Sequence, residues 1–215
     1  MKASQICDLI RQDKHPPDQV VNTTSRSDNW SRGLSPFFLG PVLLWGGHSS
    51  RNVENAWQYS KVYPQHAVDG WPTAEWIEWA KRGWGSTRAD RYPMGKGAAP
   101  LFSYWDGVRL TYVQARRHVY IPLYRRAVMC SSAWGQLCIE FDRLRHDGET
   151  LYLVDFDGYR HRDLGMEYRD VVRCEARKMG HAFVLAMMIE ELERLESTIM
   201  SLHDEFDAME RRGIQ

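Results

Sequence analysis

A helical pattern extends from Met166 to about Met209 and is the longest regular pattern in the chain. Its stretch from Ala182 to Ile189 is apolar, whereas the part that follows is acidic. An apolar stretch this short cannot cross a bilayer, which takes about 20 residues, so the rest of the chain must cover it. The sequence therefore predicts a globular protein with a helix in its core. We expect a break near Ser197, and the last part of the pattern is suited to binding a partner or forming an oligomer.

The composition is that of an intracellular globular protein. Its 215 residues suffice for one large domain or two small ones with a buried core. Residues 1–10 are too few and too polar for a signal peptide. The cysteines are scattered, without paired spacing or nearby histidines, which predicts reduced thiols and no metal site; they are Cys7, Cys130, Cys138 and Cys174. We expect a cytoplasmic protein that needs no metal or redox cofactor and contacts no membrane.

The hydrophobic patterns predict a single α+β domain in which a small sheet is surrounded by helices. Runs of β-branched and aromatic residues predict strands near residues 20–24, 41–45 and 150–156. Helical spacing predicts helices over residues 53–63, 72–84, 108–129 and 133–145. Residues 85–107 are rich in Gly and Pro, which predicts a long functional loop.

These elements suggest three parts of the chain. Residues 1–19 are expected to form an N-terminal appendage with a short amphipathic helix. Residues 20–195 are expected to form the domain, and residues 196–215 a helical C-terminal extension.

The helix that follows Ser49 and Ser50 carries three polar residues on one side. Glu54, Gln58 and Lys61 are spaced i, i+4 and i+7, so their side chains project in one direction. One interpretation is an exposed polar face whose first-turn carboxylate suits the helix dipole. The other is a cleft whose two ends, roughly 10 Å apart along the helix axis, hold one sugar and its base.

Charge is unevenly spread along a chain with no net charge. Residues 81–130 contain ten Lys or Arg and two Asp, a net +8, whereas residues 131–215 contain eleven basic and eighteen acidic residues, a net −7. Two interpretations are open: the segments neutralise each other in the fold, or the basic residues within 81–126 face phosphate groups, including those of DNA.

Two other segments offer functional side chains. Asp155 and Asp157 follow the clearest strand in an Asp-x-Asp-Gly turn, which either presents carboxylates to a site or binds backbone amides. The early loop contains Arg26, Asn29 and Arg32, residue types that suit contacts with phosphates or bases.

The order of these segments resembles the NADAR superfamily, the YbiA-like N-glycosidases. In that family an F-S-N-F segment precedes a strand, and a helix then opens with S-E-H and continues to Q-x-x-K-F. This chain has Leu34-Ser35-Pro36-Phe37, then Val53-Glu54-Asn55 and Gln58-Tyr59-Ser60-Lys61-Val62. A lone tryptophan, a strand that leads to an aspartate and a late helix follow, here Trp105, Leu153-Val154-Asp155-Phe156-Asp157 and residues 178–189. The resemblance covers roughly residues 20–193.

The resemblance implies cleavage of the N-glycosidic bond between a base-like amine and a ribose. Substrates in that family include ADP-ribosylated guanine in nucleic acid and a phosphoribosylamino-pyrimidine. It implies that Glu54 is a catalytic carboxylate, that Lys61 traps the opened ribose as a Schiff base and that Asp157 (or Asp155) assists. It also implies that Trp105 stacks on the substrate. We expect Gln58, on the same side of the helix as Glu54, to contact the substrate as well.

The chain departs from the family pattern at two places. Asn55 replaces the family histidine, and the D-x-x-W-G element after the late strand is missing, so that Asp163 competes with Asp157 for one role. Two alternatives therefore stand beside the glycosidase. One is a non-catalytic module that binds ADP-ribose or a nucleotide, and the other is a phage or defence enzyme that modifies bases in DNA.

Overall fold

A computed structural model describes the backbone of residues 4–213 and the side chains of residues 4–201. It is a mixed α+β structure whose strands are short and form small separate sheets. The strands are β1 (Gln5–Cys7), β2 (Val20–Asn22), β3 (Val42–Leu43), β4 (Ser49–Ser50), β5 (Lys61–Val62), β6 (Ala67–Val68), β7 (Trp71–Pro72), β8 (Phe102–Trp105), β9 (Val108–Leu110) and β10 (Tyr152–Val154). The α-helices are α1 (Val53–Gln58), α2 (Ala74–Gly85), α3 (Tyr112–Ala115), α4 (Ile121–Met129), α5 (Ser132–His146), α6 (Tyr168–Arg173) and α7 (His181–Gly213).

The sheet in the main core has three parallel strands in the order β1-β10-β2. Leu153 in the middle strand pairs with Ile6 on one side and Val21 on the other, and all three are buried. Parallel strands covered on both faces are expected to be apolar in this way. The strands predicted near 20–24 and 150–156 are confirmed. The helix predicted within residues 1–19 is wrong, because Gln5–Cys7 is an edge strand of this sheet.

The strand predicted near residues 41–45 is only two residues long, β3 (Val42–Leu43), and it is not part of the parallel sheet. β3 pairs with β4 in a separate antiparallel hairpin. The N–H of Leu44 donates to the carbonyl of His48 across a tight turn in which Gly46 and Gly47 have positive φ angles. Because glycine adopts such angles without strain, the chain reverses direction within this turn, and β3 pairs with the next strand, β4, instead of joining the parallel sheet.

The helices predicted over 72–84 and 133–145 are confirmed as α2 and α5. The helix predicted over 108–129 begins too early, because Val108–Leu110 pairs with β8 and Thr111 caps the helix that follows. A π-helical turn, Arg116–Tyr120, lies between α3 and α4. Pro122 has no N–H to donate to the preceding turn, which accounts for the wider turn just before it.

The long pattern from Met166 to Met209 is broken at residues 174–180, between α6 and α7, and not near Ser197. Residues 182–186 of α7 are fully buried and belong to the main core, as the apolar stretch predicts. A smaller core around Trp76 and Trp84 lies under α2 and β8. Within residues 4–213, none of the helices is long and apolar enough to span a membrane.

Candidate active site

A single large cleft of about 540 Å³ collects most of the predicted functional residues. Its walls include α1 with β5, the loop of residues 91–100, the residues that follow β10, and residues 175–181 at the start of α7. Residues 35–37 and the turn of residues 112–120 also contribute to the lining. Ligand pockets typically measure about 300–1,000 Å³, so a nucleoside or nucleotide is of suitable size.

Helix α1 directs its acidic residue inward. The Asn52 side chain accepts a hydrogen bond from the N–H of Asn55 and caps the helix. Glu54 is only 6% exposed, which rules out the exposed polar face as its setting. The helix ends at Gln58, so Lys61 lies on β5 and not on the same helix as Glu54. The prediction of a helix reaching Lys61 is therefore wrong, although its side chain still meets the others.

Glu54, Gln58 and Lys61 form one hydrogen-bonded line in the cleft. Gln58 Nε2 donates to Glu54 Oε1 over 2.8 Å, and Lys61 Nζ donates to Gln58 Oε1 over 2.6 Å. Lys61 Nζ also lies 5.0 Å from the centre of the Trp57 ring. The amide of Gln58 thus holds an acid at one end and an amine at the other.

The surroundings shift the pKa of each end group in the direction of its uncharged form. Burial raises the pKa of Glu54, and the hydrogen bond from Gln58 with the charges of Lys61, Arg91 and His181 offsets this only in part. Burial also lowers the pKa of Lys61 to about 8; Glu54 opposes this shift, while Lys178 and Arg91 add to it. A carboxyl group that can donate a proton therefore lies near an amine that can act as a nucleophile.

Asp155 and His181 form a buried pair at the base of the cleft. Oδ2 of Asp155 lies 3.0 Å from Nδ1 of His181, and Nε2 of His181 lies 2.7 Å from the carbonyl oxygen of Thr23. Both ring nitrogens face acceptors, so the imidazole carries a proton on each and is positively charged. Burial alone would raise the pKa of Asp155, but His181 and the backbone N–H groups of Ala182 and Asp157 lower it to about 2. Burial likewise opposes the charge on His181, but Asp155 raises the pKa of the imidazole above its ordinary value.

Asp157 lines the cleft and binds Arg91. Its Oδ2 accepts a hydrogen bond from Nη2 of Arg91 over 2.7 Å, and both side chains are partly exposed. The guanidinium groups of Arg91 and Arg26 lie 5.4 and 5.1 Å from the centre of the Phe156 ring. Asp157 therefore fixes an arginine at the opening of the cleft.

Asn55, which replaces the histidine of the resembling family, faces away from the cleft. It is fully buried, and its Nδ2 donates to the carbonyls of Ser86 and Arg88 while its Oδ1 accepts from the N–H of Asp90. These three bonds anchor the start of the loop that carries Arg91. The loop predicted over 85–107 does contribute to the site, although its last part is strand β8.

Four of the predicted substrate contacts lie outside the cleft lining. Asn29 accepts a hydrogen bond from the N–H of Ser31 and caps a turn, and Arg32 covers the Phe38 ring. Trp105 lies on β8 and packs against the main core. Arg26 is next to the cleft through Phe156 but does not line it.

Several cleft residues are not among the individually predicted site residues, although Arg116 belongs to the basic residues within 81–126. Trp57 and Tyr120 form its aromatic wall, with ring centres 5.2 Å apart. Arg116 is buried and donates to backbone carbonyls at the end of α6 and beyond: those of Val171, Val172, Cys174 and Arg177. It thereby shapes the segment that leads to His181. The π-helical turn that holds Arg116 and Tyr120 is a feature often found at functional sites, but it has no sequence signature.

Among the side chains of residues 4–201, no group of three or more His, Cys, Asp and Glu is placed to hold a metal ion. A family model described as a family of unknown function (DUF6939) matches residues 5–163. No curated protein matches the chain. No solved structure matches it either.

Proposed function

We propose that this chain, which belongs to the DUF6939 family of proteins of unknown function, is an N-glycosidase that releases a nucleobase-like amine from ribose or ADP-ribose. The observation that carries the proposal is the hydrogen-bonded line of Glu54, Gln58 and Lys61 along the wall of a nucleotide-sized cleft. Cleaving an N-glycosidic bond requires a proton for the departing base and a nucleophile for the anomeric carbon, and the two ends of this line supply both.

Glu54 is the general acid. Its raised pKa favours the protonated form, as for other buried catalytic carboxyl groups. A neutral carboxyl group still accepts the bond from Gln58 through its carbonyl oxygen and keeps its O–H for the substrate. Transfer of that proton to the base nitrogen accompanies cleavage of the C1′–N bond, and Glu54 is left as a carboxylate near the positive charges of Arg91 and His181.

Lys61 is the nucleophile. The neutral amine donates one hydrogen to Gln58 and directs its lone pair at C1′. A new C1′–N bond forms as the old one breaks, and as the sugar ring opens the attacking nitrogen gives one of its protons to the ring oxygen, which leaves a protonated imine on Lys61. Water then hydrolyses this imine, which releases the free sugar and the neutral amine, and the proton that is freed returns to Glu54.

Arg91 and Lys178 supply charge for a phosphorylated substrate. Both line the cleft, and Asp157 holds Arg91 in place. Asp157 then acts as a positioning residue for Arg91, and Asp155 holds the cleft together through His181. Substrates of this class include free ribosylamino-pyrimidine phosphates and ADP-ribosylated guanine in nucleic acid.

Borohydride trapping tests the proposal. The purified protein is incubated with each substrate class and reduced, and its mass and the released products are measured by mass spectrometry. We expect a base product and an adduct on Lys61; Lys61→Arg loses the adduct, whereas Lys81→Arg, a surface control paired with Glu78, keeps it. Glu54→Gln should still bind substrate but should convert it at least about 100-fold more slowly than the wild type. Glu78→Gln, the surface control, should convert it at the wild-type rate. Full activity of Glu54→Gln would remove the proposed acid.

A second candidate is a non-catalytic module that binds the same ligand. It is favoured by Asn55, which supports a loop instead of supplying the imidazole found in the resembling family. Saturable binding of ADP-ribose by the wild-type chain, with no product from either substrate class, would favour this module over the enzyme.

Whether the ribosylated base is part of a DNA strand can be tested separately from the cleavage chemistry. DNA bound through the basic residues of 81–126 would give an affinity that falls steeply with salt. Arg116 and Arg125 are already engaged, by backbone carbonyls and by Glu191, so contact with DNA would depend on exposed residues such as Arg88 and Lys96. If the affinity for an oligonucleotide did not change between 50 and 200 mM salt, binding of DNA through these basic residues, and with it the proposal of a DNA substrate, would be contradicted.

A further inference from the structure

Helix α7, which has 33 residues, continues well beyond the part up to Ile189 that the domain buries. Met188 and Ile189 are buried, but Leu192, Leu195 and Ile199 are 40%, 59% and 65% exposed. These three large apolar side chains lie on one face of the helix and are covered only in part by the rest of the described chain, so they form an unpartnered stripe.

The spacing of the stripe is that of a coiled coil. Positions 192, 195 and 199 are separated by three and four residues, and the sequence repeats this spacing at Leu202, Phe206 and Met209. The helical backbone extends over all of these positions, to Gly213. The same register includes Leu185 and Met188, which are already buried in the core. An apolar 3-4 repeat sustained in this way is the signature of a and d positions.

We infer that the stripe from Leu192 to Met209 is the docking surface for a second copy of this chain, paired as an antiparallel two-helix coiled coil. In this register the facing core positions are 192 with 209, 195 with 206, and 199 with 202 of the second copy. The stripe is roughly 26 Å long at 1.5 Å per residue. Each folded domain sits at the beginning of its own α7, so antiparallel pairing keeps the two domains at opposite ends.

Charge complementarity favours a second copy of this chain as the partner, and it favours antiparallel over parallel pairing. In the antiparallel register Arg212 falls opposite Glu191, which also pairs with Arg125 of its own chain, and His203 falls opposite Glu196, which also pairs with Arg145 of its own chain. In a parallel pair Glu191 would fall opposite Glu196, and Glu205 opposite Glu210. Like charges would therefore disfavour the parallel form, whereas two copies in opposite directions complement each other.

The mass of the full chain in solution tests the inference. Light scattering at about 100 µM should give twice 25.1 kDa for the wild type. Ile199→Glu should be monomeric, with a dimer dissociation constant raised at least tenfold. Met200→Glu is the matched control, because Met200 is the next residue and is equally exposed at 68% but lies off the stripe; it should remain dimeric. A wild type that stays monomeric, or equal effects of the two variants, would overturn the inference.

One further substitution tests the direction. Thr198→Glu places a carboxylate opposite Glu205 in the antiparallel register and opposite His203 in the parallel one. We expect it to weaken the dimer, and we expect Glu205→Lys in the same chain to restore it. A dimer that is unchanged or tighter in Thr198→Glu would indicate the parallel form and contradict the antiparallel one. Neither measurement depends on the proposed glycosidase activity.

Discussion

Oδ2 of Asp155 lies 3.0 Å from Nδ1 of His181 and also 3.0 Å from the backbone N of Ala182. One carboxylate oxygen thus joins the end of the central strand β10 to the first turn of α7. The imidazolium is a costly neighbour for the positive end of a helix, and the carboxylate offsets both positive charges. The pair therefore fixes the angle between two walls of the cleft.

Loss of this carboxylate should strongly destabilise the protein. Asp155→Asn leaves a buried His181 without its counter-charge, and removal of one member of a buried pair costs about 3–5 kcal/mol. Urea unfolding would measure the change in the free energy of unfolding. Asp163→Asn is the control, because Asp163 forms an exposed pair with Arg160 and its loss should cost less than about 1 kcal/mol. Equal effects of the two substitutions would show that the buried pair contributes no more than a surface pair.

The same pair predicts how stability depends on pH. The pKa of Asp155 is lowered from 3.8 to about 2, so its contribution is complete above pH 4 and is lost between about pH 4 and 2. The pKa of His181 is raised above 6.5, so its contribution is complete below pH 6.5 and is lost as pH rises through the raised value. Unfolding measured across this range should show both losses in the wild type and flatter limbs in Asp155→Asn. Parallel curves for the two proteins would contradict the assignment.

A methyl group at Gly180 should disrupt the contact without changing any charge. A Cβ at Gly180 would overlap the carboxylate of Asp155, whereas a Cβ at Gly135 in α5 would meet nothing. We expect Gly180→Ala to lower the free energy of unfolding by about 2 kcal/mol or more, as overpacking does. Gly135→Ala should raise it by up to about 1 kcal/mol, because alanine is the better helix former. Thermal unfolding of both variants would measure these opposite signs.

An added negative charge beside Lys61 should move the pH dependence of catalysis. Gln58→Glu places a carboxylate next to the ammonium group, which stabilises the charged form and raises the pKa of Lys61 from about 8. The rate of adduct formation should then begin to rise about one pH unit higher than in the wild type. Gln65→Glu, on an exposed turn, should leave the profile in place. If the pH dependence of adduct formation were the same in Gln58→Glu and the wild type, deprotonation of Lys61 would not control the rate of adduct formation.

Local chemistry made part of the fold predictable. The apolar run of β10 and the buried apolar stretch of α7 each depend on residues a few positions apart, and both predictions are confirmed. β1 was missed, because a three-residue strand is defined by parallel pairing with a partner far along the chain. The break at 174–180 was missed for a similar reason, since its carbonyls are bound by Arg116 from a distant helix.

The site was predictable to the extent that neighbours in sequence are neighbours in space. Glu54, Gln58 and Lys61 are close in the chain and meet in the cleft, although the helix ends before Lys61. Asp155 and Asp157 follow one strand and reach the same cleft. His181 and Arg91 arrive from separate segments, and a histidine at a helix start has no pattern that marks it as a partner for Asp155. Trp105 was proposed from its place in an order of segments that resembles the NADAR superfamily; it is partly buried, packs against the main core and does not line the cleft.

Residues 175–181 line the cleft but lie beyond residues 5–163, the span shared with the family model. A recombinant fragment limited to residues 5–163 would keep Glu54 and Lys61 but would lose residues 175–181, which form another wall of the cleft. It would also bury Asp155 without its cation, so such a fragment should be poorly folded as well as inactive. Expression of any relative should therefore extend at least through the equivalent of α7 before absence of turnover is taken as a property of the family.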